Sequence, residues 1–194
     1  MKFLCILMTV VIGCVGSQNI SAKAIANIKK VGTISGTAFK VTGGRILTAG
    51  HLCEAALAGN ANIEFEWQDG ERWVATGGEY RVLRLSTTSD ICELAVVNSS
   101  NNHLKHLELA DSWSSLEPIS VYGAPIGLGP ARTDGYLIGR RGNVFFASVM
   151  ALPGNSGSPV LNSSGEVLGM LVAGYENISL LVPYQEIEHF LYEK

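Results

Sequence analysis

Residues 153–160 read Pro-Gly-Asn-Ser-Gly-Ser-Pro-Val, a serine flanked by glycines between two prolines. Glycine at positions 154 and 157 lets the backbone turn tightly around Ser156, because glycine adopts backbone conformations that other residues avoid. Taken alone, the stretch predicts either a loop that merely needs positive φ angles or a turn that presents the serine hydroxyl. The rest of the chain has to decide between these two interpretations.

Two earlier segments carry residues that match such a serine. Leu47-Thr48-Ala49-Gly50-His51 is a strand end that delivers a histidine into a turn of small residues. Ser89-Asp90-Ile91-Cys92 places an aspartate directly ahead of an apolar strand. A lone histidine or aspartate in such a place is usually a surface or turn residue. All three together, in the order His, Asp, Ser, would require several coincidences.

The three segments resemble the histidine, aspartate and serine blocks of the trypsin-like serine peptidases, in that family's order. The resemblance extends from about Gly32 to about Pro183. The Gly-Asn-Ser-Gly block is similar to that of bacterial periplasmic heat-shock proteases and phage-encoded relatives. The resemblance implies an all-β fold of two six-stranded antiparallel β-barrels with a C-terminal α-helix. It also implies an endopeptidase that acts on polypeptides, with Ser156, His51 and Asp90 as its catalytic residues.

The chemistry of such an enzyme requires these residue types. A serine hydroxyl becomes a good nucleophile only when a base takes its proton. His51 suits that role because the ordinary pKa of histidine, ~6.5, lies near working pH. A carboxylate at Asp90 would fix the histidine tautomer and stabilise the charged ring. The backbone N–H groups of Gly154 and Ser156 are expected to form the oxyanion hole.

Short runs of β-forming residues, most of them bounded by glycine, proline or asparagine, fill the chain after about residue 35. The polar stretch 98–105 interrupts them and predicts a connection between lobe one, at about 25–100, and lobe two, at about 105–183. Apolar residues on one helical face predict a terminal helix at 184–194. An alanine-rich stretch at 54–58 predicts a short helical turn. The predicted strands are 35–41, 45–48, 63–67, 72–76, 79–85, 94–97, 119–122, 136–139, 144–149, 167–172 and 180–183.

The first 24 residues form a separate unit ahead of the predicted peptidase domain at 25–194. Lys2 and the short apolar run that follows it predict an export signal rather than a buried first strand. Residues 11–14 resemble a bacterial lipobox, in which Cys14 would be lipidated and anchor the protein to a membrane. Cleavage by ordinary signal peptidase after Ser17 or after Ala24 is the rival interpretation. Either route predicts a periplasmic or secreted protein.

Two cysteines remain in the predicted mature domain. Cys53 follows His51 by two residues, and Cys92 follows Asp90 by two residues. If the histidine and aspartate side chains meet, their neighbouring backbones come close enough for a disulfide. We therefore predict a Cys53–Cys92 disulfide, which the oxidising setting outside the cytoplasm would preserve. Two free thiols are the alternative.

Further residues bear on specificity and regulation. The resemblance places Met150 at the base of the primary substrate pocket, with Val172, Ala173 and Gly174 along its wall and edge strand. An apolar Met150 favours a medium apolar side chain in the substrate over lysine or arginine. Asn155 stands where secreted zymogens of the family carry an aspartate, so this enzyme is expected to be active without zymogen cleavage.

Composition and motifs argue against several other classes of protein. A formal net charge of −3 gives no basic surface for nucleic acid. No metal-ligand spacing or nucleotide-binding loop occurs, so no cofactor is expected. The main rival function is a catalytically inactive peptide-binding protein on the same scaffold. A non-peptidase esterase is disfavoured because the strand–helix elbow of the α/β-hydrolases is missing.

Overall fold

A computed structural model describes residues 25–31, 34–59, 63–69, 72–75, 79–98, 106–128 and 130–193. The predicted export signal, with Cys14, and most of the predicted connection at 98–105 lie outside these residues. The described chain is mainly β structure. Its strands and helices are, in order, β1 (Ile25–Val31), β2 (Ile34–Val41), β3 (Arg45–Ala49), α1 (Gly50–Ala58), β4 (Glu64–Asp69), β5 (Arg72–Ala75), β6 (Glu79–Ser86), β7 (Ile91–Asn98), β8 (Pro118–Gly123), β9 (Ala131–Arg141), β10 (Val144–Ala147), β11 (Ser158–Leu161), β12 (Val167–Tyr175), β13 (Ile178–Pro183) and α2 (Tyr184–Tyr192).

The strands form two antiparallel units. Strands β8 to β13 close into a six-stranded barrel in the order β10-β13-β12-β11-β8-β9, which we call lobe two. The burial of β8 alternates, with Ile119 and Val121 inside the barrel, because successive side chains of a strand point to opposite faces. This lobe agrees with the predicted barrel.

Strands β1 to β7 form a seven-stranded sheet in the order β5-β4-β1-β2-β3-β7-β6, which we call lobe one. The sequence predicts a closed six-stranded barrel here, but among the described residues the sheet is not closed. A closed barrel needs a ladder between its edge strands, here β5 and β6, and the described residues show only an isolated antiparallel bridge from Ile63, just before β4, to Tyr80 in β6. Strand β1, which was not predicted from the sequence, is the seventh strand of this sheet.

A shared core joins the two lobes and helix α2. Apolar side chains from both lobes and from one face of α2 pack in a single buried cluster that includes Phe39, Leu47, Ile91, Leu161, Val167, Met170, Val182, Ile187 and Leu191. Burying this surface favours one arrangement of the lobes, at roughly 25 cal/mol per Å² of apolar area removed from water. The catalytic candidates from different lobes are therefore held on one rigid support.

A buried ion pair adds a polar contact to this support. Glu93 on β7 is 4 % exposed and accepts hydrogen bonds from Nε and Nη2 of Arg45 at 2.7 and 2.8 Å. Nη1 of Arg45 donates to the carbonyl oxygen of Leu191, in the last turn of α2. The arginine thus pairs with a buried carboxylate, which Arg84 also approaches at 3.4 Å, and satisfies a helix-end carbonyl that has no partner within the helix.

Candidate active site

The side chains of His51 and Asp90 meet at one end of lobe one. Strand β3 ends at Ala49 and α1 begins at the next residue, so His51 lies in the first turn of the helix. Its Nδ1 is 3.0 Å from Oδ2 and 3.2 Å from Oδ1 of Asp90. The His51 backbone N–H also donates to Asp90 Oδ1 at 2.7 Å. Both the ring and the backbone of the histidine therefore hold one carboxylate.

This contact sets the electrostatics of the histidine. The hydrogen bond to Asp90 raises the pKa of His51 above its ordinary value of 6.5, against the lowering effect of partial burial. The negative charges of Asp90 and Glu54 act in the same direction as the hydrogen bond. A carboxylate at Nδ1 favours the tautomer with its proton on that atom, which leaves Nε2 as the acceptor. The ring is thereby arranged to take a proton.

The backbone around Asp90 is unusual and depends on a glycine. Asp90 ends a turn ahead of β7 and has a φ of 51°, in the left-handed region that aspartate tolerates better than most residues. Its carbonyl oxygen accepts the N–H of Gly50 at 3.0 Å. A Cβ at Gly50 would lie only 3.0 Å from Oδ1 and the carbonyl carbon of Asp90. The small residue before His51 thus permits the close approach of acid and base.

A disulfide lies directly behind this pair. Cys53 in α1 and Cys92 in β7 are joined, with their Cα atoms 6.3 Å apart, and both side chains are fully buried. This is the bond that the sequence predicts. It closes a chain separation of 39 residues, which restricts the unfolded chain by about 4 kcal/mol in the loop-entropy description. The helix that carries His51 is thus covalently fixed to the strand that follows Asp90.

The serine lies in lobe two, in a loop built around two left-handed glycines. Gly154 has a φ of 97° and Gly157 a φ of 85°. A Cβ at Gly154 would overlap the carbonyl oxygen of Ala124, and one at Gly157 would overlap that of Thr37. Both positions therefore require glycine for two reasons, the backbone conformation and the close packing.

Two backbone donors in this loop are available for a ligand. The N–H groups of Asn155 and Gly157 donate to backbone carbonyls of lobe two. Within the described part of the chain, the N–H groups of Gly154 and Ser156 donate to no backbone carbonyl. A pair of such donors on either side of one residue can bind an oxygen that carries negative charge.

The loop packs against the strand end that carries the histidine. The carbonyl oxygen of Ser156 accepts the N–H of Thr37 at 2.8 Å. A Cβ on Gly157 would lie 3.0 Å from the backbone nitrogen of Ala49, two residues before His51. The structure thus brings the serine loop to the histidine–aspartate pair, although the Ser156 hydroxyl forms no hydrogen bond with His51 here.

The sequence matches a known protein family. A family profile described as the trypsin-like peptidase domain matches residues 35–170, well over half of the chain. The chain belongs to the trypsin-like peptidase family. Members of this family are hydrolases, and this trypsin-like peptidase is accordingly a serine endopeptidase.

Solved structures share the fold of this trypsin-like peptidase. The serine endoprotease of Yersinia pestis is similar with a TM-score of 0.72 and 21 % identity, over 88 % of this chain and 62 % of that one. The Rv3671c protein of M. tuberculosis H37Rv, as an inactive form with serine replaced by alanine, is similar with a TM-score of 0.70 and 18 % identity. That match covers 88 % of this chain and 85 % of the other. At these identities the likeness concerns the fold.

The predicted pocket residues of the peptidase lie beside the serine loop. Met150 is 62 % exposed. Val172 is partly buried, whereas Ala173 and Gly174 are exposed on β12. A Cβ at Gly174 would overlap that of Ala151, so Gly174 lies against the residue that follows Met150. The identity of the pocket residues stays a prediction.

Two features of the site, the roles of Gly50 and Thr37, were not predicted from the sequence. The role of Gly50 could have been found from the turn of small residues that precedes His51, because glycine permits a close backbone approach. Thr37 was treated only as part of a strand. It is fully buried and bonds to the serine loop. No local pattern indicates this, because its partner Gly154 lies 117 residues away.

Among the described residues, no group of three His, Cys, Asp or Glu side chains could hold a metal ion. In the same part of the chain, no helix is long and apolar enough to cross a membrane.

Proposed function

We propose that this peptidase cleaves peptide bonds through an acyl-enzyme on Ser156, with His51 as general base and Asp90 as the residue that orients it. The observation that carries the proposal is the contact of 3.0 Å between His51 Nδ1 and Asp90 Oδ2. A carboxylate on that nitrogen gives the histidine the tautomer and basicity that proton abstraction from a serine requires.

In the first step, His51 Nε2 accepts the proton of the Ser156 hydroxyl as its oxygen attacks the scissile carbonyl carbon. The hydroxyl and the ring, both among the described residues, form no hydrogen bond with each other in this structure. Such contacts are often long in free enzymes and tighten when substrate binds. The charged ring that results is stabilised by Asp90, as the raised pKa of His51 indicates.

In the next step, negative charge develops on the carbonyl oxygen of the substrate. The N–H groups of Gly154 and Ser156 would donate to it, and each such donor contributes about 3–4 kcal/mol in comparable sites. The protonated His51 then gives its proton to the leaving amine as the peptide bond breaks. Water, activated by the same ring, hydrolyses the ester on Ser156 and regenerates the hydroxyl.

For the substrate, we propose a polypeptide with a medium apolar side chain at the cleaved position. Met150 at the serine loop supports this choice, because it offers no carboxylate for lysine or arginine. Because Gly174 lies against Ala151, the segments that carry Met150 and Gly174 would have to separate for a side chain to enter.

We also propose that the enzyme works outside the cytoplasm and needs no activating cleavage. The Cys53–Cys92 disulfide supports the location, because the cytoplasm keeps most thiols reduced. Asn155 supports the second point. It is buried and neutral, so it cannot form an ion pair with a newly formed α-amino group.

The proposal is tested by proteome-scale cleavage profiling of the exported protein against Ser156→Ala. The wild type should produce new peptide termini, enriched after medium apolar residues, and the variant should produce none above background. Ser164→Ala is the matched control, because it removes an exposed turn serine and should leave the profile unchanged.

Two outcomes would contradict the proposal. Equal cleavage by the wild type and Ser156→Ala would remove the nucleophile assignment. Binding of peptides without cleavage, by a folded wild type, would instead favour the peptide-binding protein. Cleavage mainly after lysine or arginine would overturn only the substrate preference.

A further inference from the structure

Thr37 in β2 connects lobe one to the serine loop of lobe two through its backbone and its side chain. Its N–H donates to the carbonyl oxygen of Ser156 at 2.8 Å. Its hydroxyl donates to the carbonyl oxygen of Gly154, also at 2.8 Å. These acceptors belong to the two residues whose N–H groups form the proposed oxyanion hole. A fully buried residue of one lobe thus holds the other lobe at both residues, Ser156 through its backbone and Gly154 through its side chain.

The same hydroxyl holds a second segment of lobe two. It accepts the N–H of Ala124 at 3.1 Å. Two residues later, the N–H of Ile126 donates to the carbonyl oxygen of Pro153 at 2.6 Å. The turn that begins at Ala124 is therefore fixed by Thr37 at one point and holds the serine loop at another.

The bond to Pro153 matters for the direction of an oxyanion donor. The carbonyl of Pro153 and the N–H of Gly154 belong to one planar trans peptide, so the two groups point in opposite directions. Fixing the carbonyl on Ile126 therefore also fixes where the Gly154 N–H points. A flip of this peptide would replace the donor with a carbonyl oxygen, which repels negative charge.

We infer that Thr37 is a positioning residue whose hydroxyl aims the Gly154 N–H at the developing oxyanion, an inference that rests on the proposed function. A hydroxyl has one proton and two acceptor sites, and this one uses its proton on Gly154 and an acceptor site on Ala124. Valine has the same shape but can make neither bond. Serine can make both.

The expected effect follows from what one oxyanion donor contributes. Loss of such a donor lowers kcat by roughly 100- to 1,000-fold in known enzymes. Thr37→Val would misdirect the Gly154 donor for part of the time, so we expect kcat to fall about 10- to 100-fold. KM should change by less than about threefold, because the ground-state carbonyl gains little from the hole. Thr37→Ser should restore most of kcat.

Thr48→Val is the matched control. Thr48 is also a fully buried threonine, and its hydroxyl donates to the carbonyl oxygen of Thr37 at 2.7 Å. Within the described residues it makes no hydrogen bond to the serine loop, although its hydroxyl lies beside Gly157. If Thr37 has only a structural role, Thr37→Val and Thr48→Val should lose the same amount of activity when their melting temperatures fall by the same amount. The inference predicts a large loss of kcat only in Thr37→Val.

A second readout separates transition-state binding from stability. A peptide aldehyde, which forms a tetrahedral oxyanion adduct with the serine, should lose affinity in Thr37→Val by the same factor as kcat/KM. An aldehyde affinity within threefold of the wild type would overturn the inference. So would equal kcat values in Thr37→Val and Thr48→Val.

Two further comparisons keep the test decisive. If Thr37→Val does not fold, Thr37→Ala and Thr37→Ser give the same contrast, since both lack the methyl group and only serine keeps the hydroxyl. Equal activity of these two would then reject the role of the hydroxyl. An inactive wild type that resembles Ser156→Ala would instead refute the proposed function itself.

Discussion

The two lobes contribute different kinds of group to the candidate active site. Lobe one places side chains: the ring of His51 and the carboxylate of Asp90 are held by three contacts of 2.7–3.2 Å and by a disulfide directly behind them. Lobe two contributes backbone groups: Gly154 and Gly157 take positive φ angles, and the loop presents N–H groups around one serine.

This difference indicates which kinds of substitution should disable the part of the site that each lobe contributes. A side chain that acts through its charge is disabled by an isosteric change that leaves the fold intact. A backbone donor cannot be removed in that way, so it is vulnerable to changes that add volume or shift a peptide plane. Substitutions that respect this division should separate the contributions of the two lobes.

The largest effect is expected from Asp90→Asn in lobe one. The amide removes the charge that favours the productive tautomer, and kcat/KM at neutral pH should fall about 10⁴-fold, as in other sites of this type. Asp134→Asn is the control, because Asp134 is an exposed carboxylate of β9 that pairs with Arg132. A folded Asp90→Asn enzyme within tenfold of the wild type would contradict the role of the carboxylate.

The pH dependence of the same variant gives a second check. His51 accepts a proton only when neutral, so wild-type kcat/KM should rise with pH through a midpoint above 6.5, since Asp90 raises the pKa of His51. Without that charge, the midpoint for Asp90→Asn should move to lower pH. An unchanged midpoint would show that the hydrogen bond does not control the base.

The next largest effect is expected from Gly154→Ala in lobe two. The added Cβ would overlap the carbonyl oxygen of Ala124 and force the loop, with its N–H, to move. We expect kcat to fall about 100- to 1,000-fold, with a smaller change in KM. Gly142→Ala is the control, because Gly142 also has a positive φ, 59°, but a Cβ there meets nothing within 4 Å. Equal kinetics for both variants would contradict a backbone role for Gly154.

The smallest effect on activity is expected from replacing Cys53 and Cys92 together by alanine. The unfolding free energy should fall by about 2–5 kcal/mol, because the unfolded chain gains freedom. Activity at low temperature should fall less than about tenfold, since the hydrogen bonds between His51 and Asp90 do not involve sulfur. Chemical denaturation and kinetics at 15 °C provide the two measurements. An unchanged unfolding free energy would show that the disulfide does not stabilise this lobe.

The sequence predicted those parts of the molecule that depend on local patterns. Most strand positions, helix α2 and the glycine frame of Ser156 follow from alternation, helical periodicity and turn residues. The Cys53–Cys92 pairing followed from the spacing of each cysteine to a neighbouring site residue, once His51 and Asp90 were assumed to meet.

Features that depend on partners distant in sequence were not predicted. Strand β11 is buried on both faces, so residues 158–161 lack the alternation that identifies a strand. The open sheet of lobe one depends on how its edges pair, which no local pattern specifies. Thr37 has the same limitation, because its role depends on two loops of the other lobe.

The central claim is that Ser156 is a nucleophile activated by the His51–Asp90 pair. Its most direct test is the rate of labelling of the purified protein by a fluorophosphonate, with the modified residue identified by mass spectrometry across pH 5–9. The account predicts one adduct, on Ser156, whose rate rises with pH through a midpoint above 6.5 and is strongly reduced in Asp90→Asn. Labelling of a different residue, or no labelling of folded protein at any pH, would contradict it.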